Sequence, residues 1–390
     1  MPRAKILFVG DTLLQTRDGS DPFTHVEEIW DKHDLIIINL ENPLTELCQP
    51  RKVKASLLFS APSVVKWLER FRDKIVVCLA NNHILDCGDA GYKETLRHLS
   101  EAGIRHCPFD RPFSTTVSAT KITIYALYRK IENDFQKSFN DLDATHEKFL
   151  PENEFPIAFC HWGDEYVLIP NSRAVKTAAK LRTMGFKAIV GHHSHSAQGM
   201  TIHPHGCVTA YSLGNFNFPD SLWLDPPGWL LPRLGYMLSL EAGSQPPVWA
   251  RLYYVIDKFG SPVPLTLDSI DRYFKDIDEL LANYLSFSTL HRHFCYLSHS
   301  SRLTLKSNFC YGWLPRIREG GSKQMLLFLL WAANYRQIAK YPFMMLKSDE
   351  LWRRYSEFVE GWTDYLKSAP PELRKILDLQ HTIEANTSRV

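Results

Sequence analysis

The stretch "KAIVGHHSHS", residues 187–196, joins a short apolar run to His192, His193 and His195. The run itself is brief, β-branched and nearly continuous, which is the look of a strand buried on both faces. The imidazoles then fall at its carboxyl end. Working outward, the same arrangement recurs. "KILFVG" leads to Asp11, "DLIIINL" to Glu41, "KIVVCLA" to Asn81, Asn82 and His83, and "PIAFC" to His161.

Between these runs lie segments of helical period. "DAGYKETLRHLSEAGI" carries Tyr92, Leu96 and Leu99 at helical spacing, with Gly103 just past the expected end. "SRAVKTAAKLRTMGF" starts on Ser172 and stops at Gly185. Strand and helix alternating in this way predict an α/β architecture. "TIYALY" (123–128) and "VWARLYYVIDKFGSPVPLTL" (248–267) read as hairpin strands, which implies mixed pairing or a second sheet. After about residue 265 the texture changes to short helical segments rich in Leu, Tyr, Phe, Trp and Arg. The expected organisation is therefore a main domain over 1–265 and a helical C-terminal region over 266–390.

The totals fit an ordinary globular chain: 390 residues, 45% hydrophobic and 23% charged. A net charge of +2 gives no reason to expect nucleic acid as a partner. None of the eight cysteines forms a CxxC, and several lie in strand-like runs, so they read as small buried hydrophobes rather than a disulfide framework. The longest apolar run, "MLLFLLWAA" (325–333), is half the length of a membrane span. With no signal-like start, these features favour a reducing, cytoplasmic location and no transmembrane segment.

In open α/β sheets, sites form at the carboxyl ends of the strands. Taken singly, each polar residue there has a plain reading: a hydrogen-bonded histidine, or an Asp or Asn that starts a turn. Taken jointly, Asp, Glu, Asn and His at one edge form a donor set of oxygen and imidazole without thiolate. That set suits Mn, Fe or Zn.

In order along the chain, "GDTLL", "NLENPLT", "LANNHILDCGDAGYKETLRHLSEAGI", "HWGDEY", "VGHHSH" and "YSLGNF" closely resemble the bacterial poly-γ-glutamate capsule synthesis (CapA-like) family. That family is a branch of the calcineurin-like metallophosphoesterases, and the resemblance covers about residues 4–260. It implies an αββα sandwich of two mixed sheets, with a helical C-terminal extension in this chain. It also implies two divalent ions, Asp11 and His195 binding the first, Glu41 bridging, and Asn82, His161 and His193 holding the second. His83 would face the substrate as general acid, oriented by Asp86. Leu13 stands where the superfamily's Asp-x-His motif has its histidine, so the first ion would be held more weakly. His192 is expected to be structural or to support the ligands, because neighbours in an extended segment point to opposite sides and only His193 and His195 share one.

The chemistry this implies is hydrolysis of a phosphoester of an anionic small molecule or polymer by a metal-bound hydroxide. It would be linked to capsule or poly-γ-glutamate synthesis and to a capsule-assembly partner. The alternative is a non-catalytic or amide-hydrolysing accessory protein of polymer assembly. Trp162, Glu165, Tyr211, Ser212 and Asn215 are expected at the substrate rim, with Glu165 read chiefly as a partner for a metal-binding histidine.

Overall fold

The computed structural model describes residues 3–46, 48, 57–128, 154–219, 231–242, 247–286, 349–368 and 371–377. Its strands are β1 (Ala4–Thr12), β2 (Leu35–Leu40), β3 (Ile75–Cys78), β4 (Arg105–Cys107), β5 (Phe113–Val117), β6 (Thr120–Tyr128) and β7 (Glu154–His161). They continue as β8 (Ala188–His192), β9 (Met200–Ile202), β10 (Val208–Ala210), β11 (Asn215–Asn217), β12 (Leu234–Ala242), β13 (Val248–Ile256) and β14 (Pro262–Pro264). The helices used below are α1 (Glu27–Asp31), α2 (Lys66–Glu69), α3 (Gly88–Glu101), α4 (Ser172–Thr183), α5 (Asp268–Ser286), α6 (Asp349–Lys367) and α7 (Pro371–Leu377).

The strands form two mixed sheets. An eight-stranded sheet runs β14-β13-β12-β1-β2-β3-β4, with β11 also paired to β1. A six-stranded sheet runs β5-β6-β7-β8-β10-β9. Within the first, β1 to β4 are parallel and β12 to β14 antiparallel. Within the second, β6, β7, β8 and β10 are parallel. The hairpin expected at 248–267 is β13 with β14, and β6 closes a hairpin with β5 while also pairing β7.

Side-chain alternation assigns the faces. Ile6, Phe8, Leu35, Ile37 and Val76 share one core with Ile124, Ile157 and Phe159 of the other sheet, and Phe8 meets Phe159 at 6.4 Å between ring centroids. The intervening residues Leu7, Val9, Ile36, Ile38 and Val77 point the other way, onto Trp30, Leu68, Phe71 and Leu99 from the helical side. Both faces of the strands are thus apolar, which explains their continuous hydrophobic runs. Helix α4 begins at Ser172 as expected, is capped by Asn171, whose side chain accepts from the Ala174 N–H, and packs on β8. Together these make the expected αββα sandwich.

The described part of the C-terminal region is helical and joins the same core. Ile270, Tyr273, Phe274, Ile277 and Leu281 of α5 are buried with Tyr236 of β12, and Leu366 of α6 and Leu373 of α7 are buried with them. The Arg251 guanidinium, over the Tyr236 ring, donates to Asp278 at 2.6 Å. The apolar run 325–333 and the rest of 287–348 lie outside the described residues.

The reading of the cysteines needs one correction. Cys48 and Cys87 form a disulfide across a sequence separation of 39, while Cys78, Cys107, Cys160 and Cys207 are buried thiols. Cys48 follows β2 and Cys87 stands at the foot of α3, so tertiary packing pairs them and no local spacing announces it. The cysteines therefore no longer argue for a reducing compartment. Among the described residues, no helix is long and apolar enough to cross a membrane.

Candidate metal centre

The parallel strands β1, β2 and β3 of one sheet, and β7 and β8 of the other, end at the same edge. At Gly10 strand β1 changes partner: its register with β12 ends at Phe8, and Asp11 instead pairs Asn215 of β11. A Cβ on Gly10 would lie 2.0 Å from the Gly214 carbonyl oxygen, so only glycine admits β11 here. Gly191 plays the matching part on β8, where the Tyr211 carbonyl and the Trp162 indole occupy the space of a Cβ.

Asp11 and Glu41 are fully buried in this edge. Asp11 Oδ1 lies 3.1 Å from His192 Nδ1, and Oδ2 lies 3.4 Å from His195 Nδ1 and accepts the His193 backbone N–H at 3.0 Å. Burial alone would push the Asp11 carboxyl up, but hydrogen bonds and charge from His192 and His195 hold it well below the usual carboxylate range. Glu41 has no such balance. Burial first, and then the Asp11 charge, push its carboxyl well above that range.

His161 Nε2 lies 2.6 Å from Asn82 Oδ1 and 3.6 Å from Glu41 Oε1, and its Nδ1 lies 2.9 Å from His192 Nδ1. The His161 and His193 rings stand 4.3 Å apart. Burial and the neighbouring imidazoles hold His161 well below its ordinary value, and they take His193 down to about 3. His195 goes the other way. Burial opposes its protonation, but Asp11, Glu165 and Asn215 outweigh burial and raise it.

The residues expected as ligands converge at this edge, with Asn82 against His161, His161 near Glu41, and His195 beside Asp11. Asp11, Glu41, His161 and His192 each offer a ligand atom within 4.8 Å of one another, as do Glu41, His193 and His195. His192 is closer to the centre than a supporting role required. The geometric reason offered for His-x-His does not hold, because His193 and His195 have φ of 90° and 53° and the segment is not extended. Strand β8 ends at His192, and two left-handed residues turn both rings toward Glu41. Leu13 is buried in the helix-side core and leaves no imidazole at that position.

His83 Nδ1 is 2.7 Å from Asp86 Oδ2, which also accepts the Leu58 backbone N–H at 3.0 Å. Asn81 Oδ1 accepts from the His83 and Ile84 backbone N–H groups and so shapes the turn that carries Asn82 and His83.

The expected substrate rim is only partly a rim. Trp162 is half-buried, its Nε1 donating to the Tyr211 carbonyl at 2.8 Å and its ring 6.1 Å from that of Tyr211. Glu165 is exposed and acts on His195 through its charge. Ser212 and Asn215, in contrast, are fully buried. The Ser212 hydroxyl accepts the Gly214 N–H, and Asn215 Oδ1 accepts from His195 Nδ1 at 2.8 Å. Asn215 orients a histidine; it does not reach toward solvent.

Two residues escaped the sequence reading. Tyr128 ends β6 in register with His161 and meets its ring edge-on at 5.3 Å. Burial, then the charges of Glu41 and Asp86, push its phenol up to about 12, so it stays a donor. Its signal was positional, as the last residue of "TIYALY". Asn39 is the second, and its polarity was hidden inside the apolar run of β2.

Do these residues suit a divalent ion? Glu41 Oε1 and His193 Nδ1 are buried without a hydrogen-bond partner. A buried orphan acceptor of this kind costs about 1–3 kcal/mol. The buried Asp11 and Glu41 carboxyl groups, beside His161 and His193 rings that burial keeps neutral, form a donor set that a cation completes, and the fit is good.

Fold and site together define an α/β two-sheet protein with a candidate divalent-metal centre at the shared carboxyl edge. Residues 5–220 match the family described as bacterial capsule synthesis protein PGA_cap, and the chain belongs to that family. It is 29% identical over 243 residues to the PGA biosynthesis protein CapA of Bacillus subtilis (strain 168), covering 55% of this chain and 63% of that protein. It is 26% identical over 231 residues to the capsule biosynthesis protein CapA of Bacillus anthracis, covering 53% and 56%. The matched region thus spans about 60% of the length of these curated relatives. Among solved structures, zinc-complexed Vps29 of Entamoeba histolytica aligns at 14% identity and a TM-score of 0.27, covering 59% of this chain and 96% of that one.

Proposed function

We propose that this chain is a divalent-metal-dependent hydrolase that cleaves a phosphoester in capsule or poly-γ-glutamate biosynthesis. The observation that carries the reading is the convergence of Asp11, Glu41, His161, His193 and His195, with Glu41 Oε1 and His193 Nδ1 buried and unpaired. Asp11 and His195 would hold one ion, Asn82, His161 and His193 the other, and Glu41 both. Manganese, iron and zinc all suit these donors, and Leu13 makes the Asp11 side the poorer in imidazole. Bound there, such ions lower the pKa of a coordinated water and polarise a phosphoryl oxygen.

The chain's own groups then do the rest. Asn215 and Asp11 fix the His195 ring. Asp86 ties down His83 Nδ1, which leaves Nε2 as the atom to pass a proton to the departing oxygen. Trp162, half-buried, and Glu165, exposed, would meet an anionic substrate, either a small molecule or a polymer chain, with the buried Tyr211 supporting Trp162.

A second reading has a specific observation behind it: the two CapA relatives are named for biosynthesis rather than for hydrolysis. The same groups would then cleave an amide such as a γ-glutamyl bond, or the chain would serve as a non-catalytic partner in polymer assembly. A screen of phosphomonoesters, phosphodiesters and γ-glutamyl amides, with and without added manganese, separates the readings. Manganese-dependent turnover of a phosphoester supports the first. Turnover of the amide alone, or of nothing by metal-loaded protein, removes it.

A further inference from the structure

Asn39 lies inside "LIIINL", where each of its strand neighbours is apolar and buried. A fully buried amide in such a run costs several kcal/mol unless it is fully bonded. It sits in register with Asp11 on β1 and Cys78 on β3. Alternation puts it on the same side of β2 as Ile37 and Glu41, facing the second sheet.

Its bonding is complete. Nδ2 donates to Asp11 Oδ1 at 2.9 Å and also to Glu41 Oε2. Oδ1 accepts from Asn81 Nδ2 at 3.1 Å, and Asn81 Nδ2 donates as well to the Leu40 carbonyl at 2.6 Å. Asn81 Oδ1 in turn takes the backbone N–H groups of His83 and Ile84. The amide orientations follow from the partners, since carboxylates only accept and backbone N–H groups only donate. One amide therefore spans the two carboxylates and links them, through a second amide, to the turn that carries Asn82 and His83.

We propose that Asn39 is a positioning residue that sets the spacing of the Asp11 and Glu41 carboxylates and couples it to the Asn82–His83 turn, so that divalent-metal affinity depends on it. This rests on the metal reading above. The two carboxyl groups are buried side by side, and the shared donor holds both oxygens toward one point. Among uncharged side chains, asparagine supplies two donors and one acceptor at this length. Partners that orient metal ligands are typically worth about 10- to 100-fold in affinity.

The test uses the full chain and Mn2+ as the probe. Calorimetric titration of wild type, Asn39→Leu and Asn39→Ser gives Kd, and circular dichroism reports folding of each. Leucine keeps the volume and removes both donors; serine is smaller and keeps one hydroxyl. We expect both variants to fold and to bind Mn2+ about 10- to 100-fold more weakly. A folded variant with wild-type Kd overturns the inference. So does failure of both variants to fold even with Mn2+, which would give Asn39 a structural role only. Absence of binding by wild-type protein fails the metal reading itself, and the two failures are thereby told apart.

Discussion

Replacing Gly191 by alanine isolates the close packing of β8, just before the histidine turn, against the chain that follows its neighbours β7 and β10. The residue lies within β8, one position before His192, and its φ is not in the left-handed region, so alanine meets no backbone penalty. The obstacle is contact. An added Cβ would lie 2.0 Å from the Tyr211 oxygen, 2.8 Å from its carbonyl carbon and 2.3 Å from Trp162 Nε1. Ordinary carbon contacts need about 3.5–4 Å, so something must move by more than about 1 Å. Tyr211 is not free to do so. Its carbonyl accepts Trp162 Nε1, its N–H donates to the Gly199 carbonyl, and the neighbouring Leu213 N–H donates to Gly191 itself. Alanine would recover about 0.5–1 kcal/mol of backbone entropy. Overpacking against fixed backbone costs about 3 kcal/mol, at the upper end of its usual range. The expected balance is a loss of about 2 kcal/mol, read as a lower urea midpoint at unchanged slope. A variant as stable as wild type would refute this account of the β8 edge.

Other perturbations probe separate parts of the account. Reducing Cys48–Cys87, or replacing both with serine, releases a loop of sequence separation 39; chain entropy sets the cost at about 3–4 kcal/mol, and equal melting with and without reductant would show that the bond contributes nothing. His83→Ala should keep its metal but lose about 100-fold in rate on esters with poor leaving groups, and the loss should shrink on nitrophenyl esters; equal losses on both would give His83 another role. His33 Nδ1 donates to the Ile29 carbonyl and Nε2 accepts the Ser239 hydroxyl, a pattern only the neutral ring can make. Burial first, and then the charge of Lys5, hold His33 below its ordinary value, so the folded state binds fewer protons than the unfolded one. Stability should be level above about pH 6.5 and fall as pH drops below it, until the folded ring protonates. His33→Gln should flatten that slope, and an unchanged slope would assign the acid sensitivity elsewhere.

Much of the fold was legible because burial on both faces leaves an unmistakable run: "KILFVG", "DLIIINL", "KIVVCLA", "PIAFC" and "KAIVG" are β1, β2, β3, β7 and β8. The same continuity hid which sheet each strand joins, since no alternation distinguishes an inner from an outer face. Strand β12 was not singled out at all, although it pairs β1 along Ala4–Phe8. The candidate ligands were legible as polar residues terminating apolar runs. Asn39 was not, because one amide inside such a run changes the pattern little and its partners come from two other strands. The turn at His193 and His195 was misread as extended, since only Gly and occasionally Asn or Asp advertise a left-handed backbone. Asn215 was expected at the substrate rim, whereas it is buried and begins β11 against β1.

Metal content of the purified full chain, set beside that of His193→Ala, bears most directly on the central claim. His193 offers a ligand atom within 4.8 Å of ligand atoms on Glu41 and His195, its Nδ1 is buried without a hydrogen-bond partner, and burial keeps its own ring neutral. After incubation with Mn2+ and gel filtration, elemental analysis of wild type should find bound metal, and the folded His193→Ala variant should hold clearly less. Wild-type protein that retains no metal, or a variant that retains as much as wild type, would contradict the account.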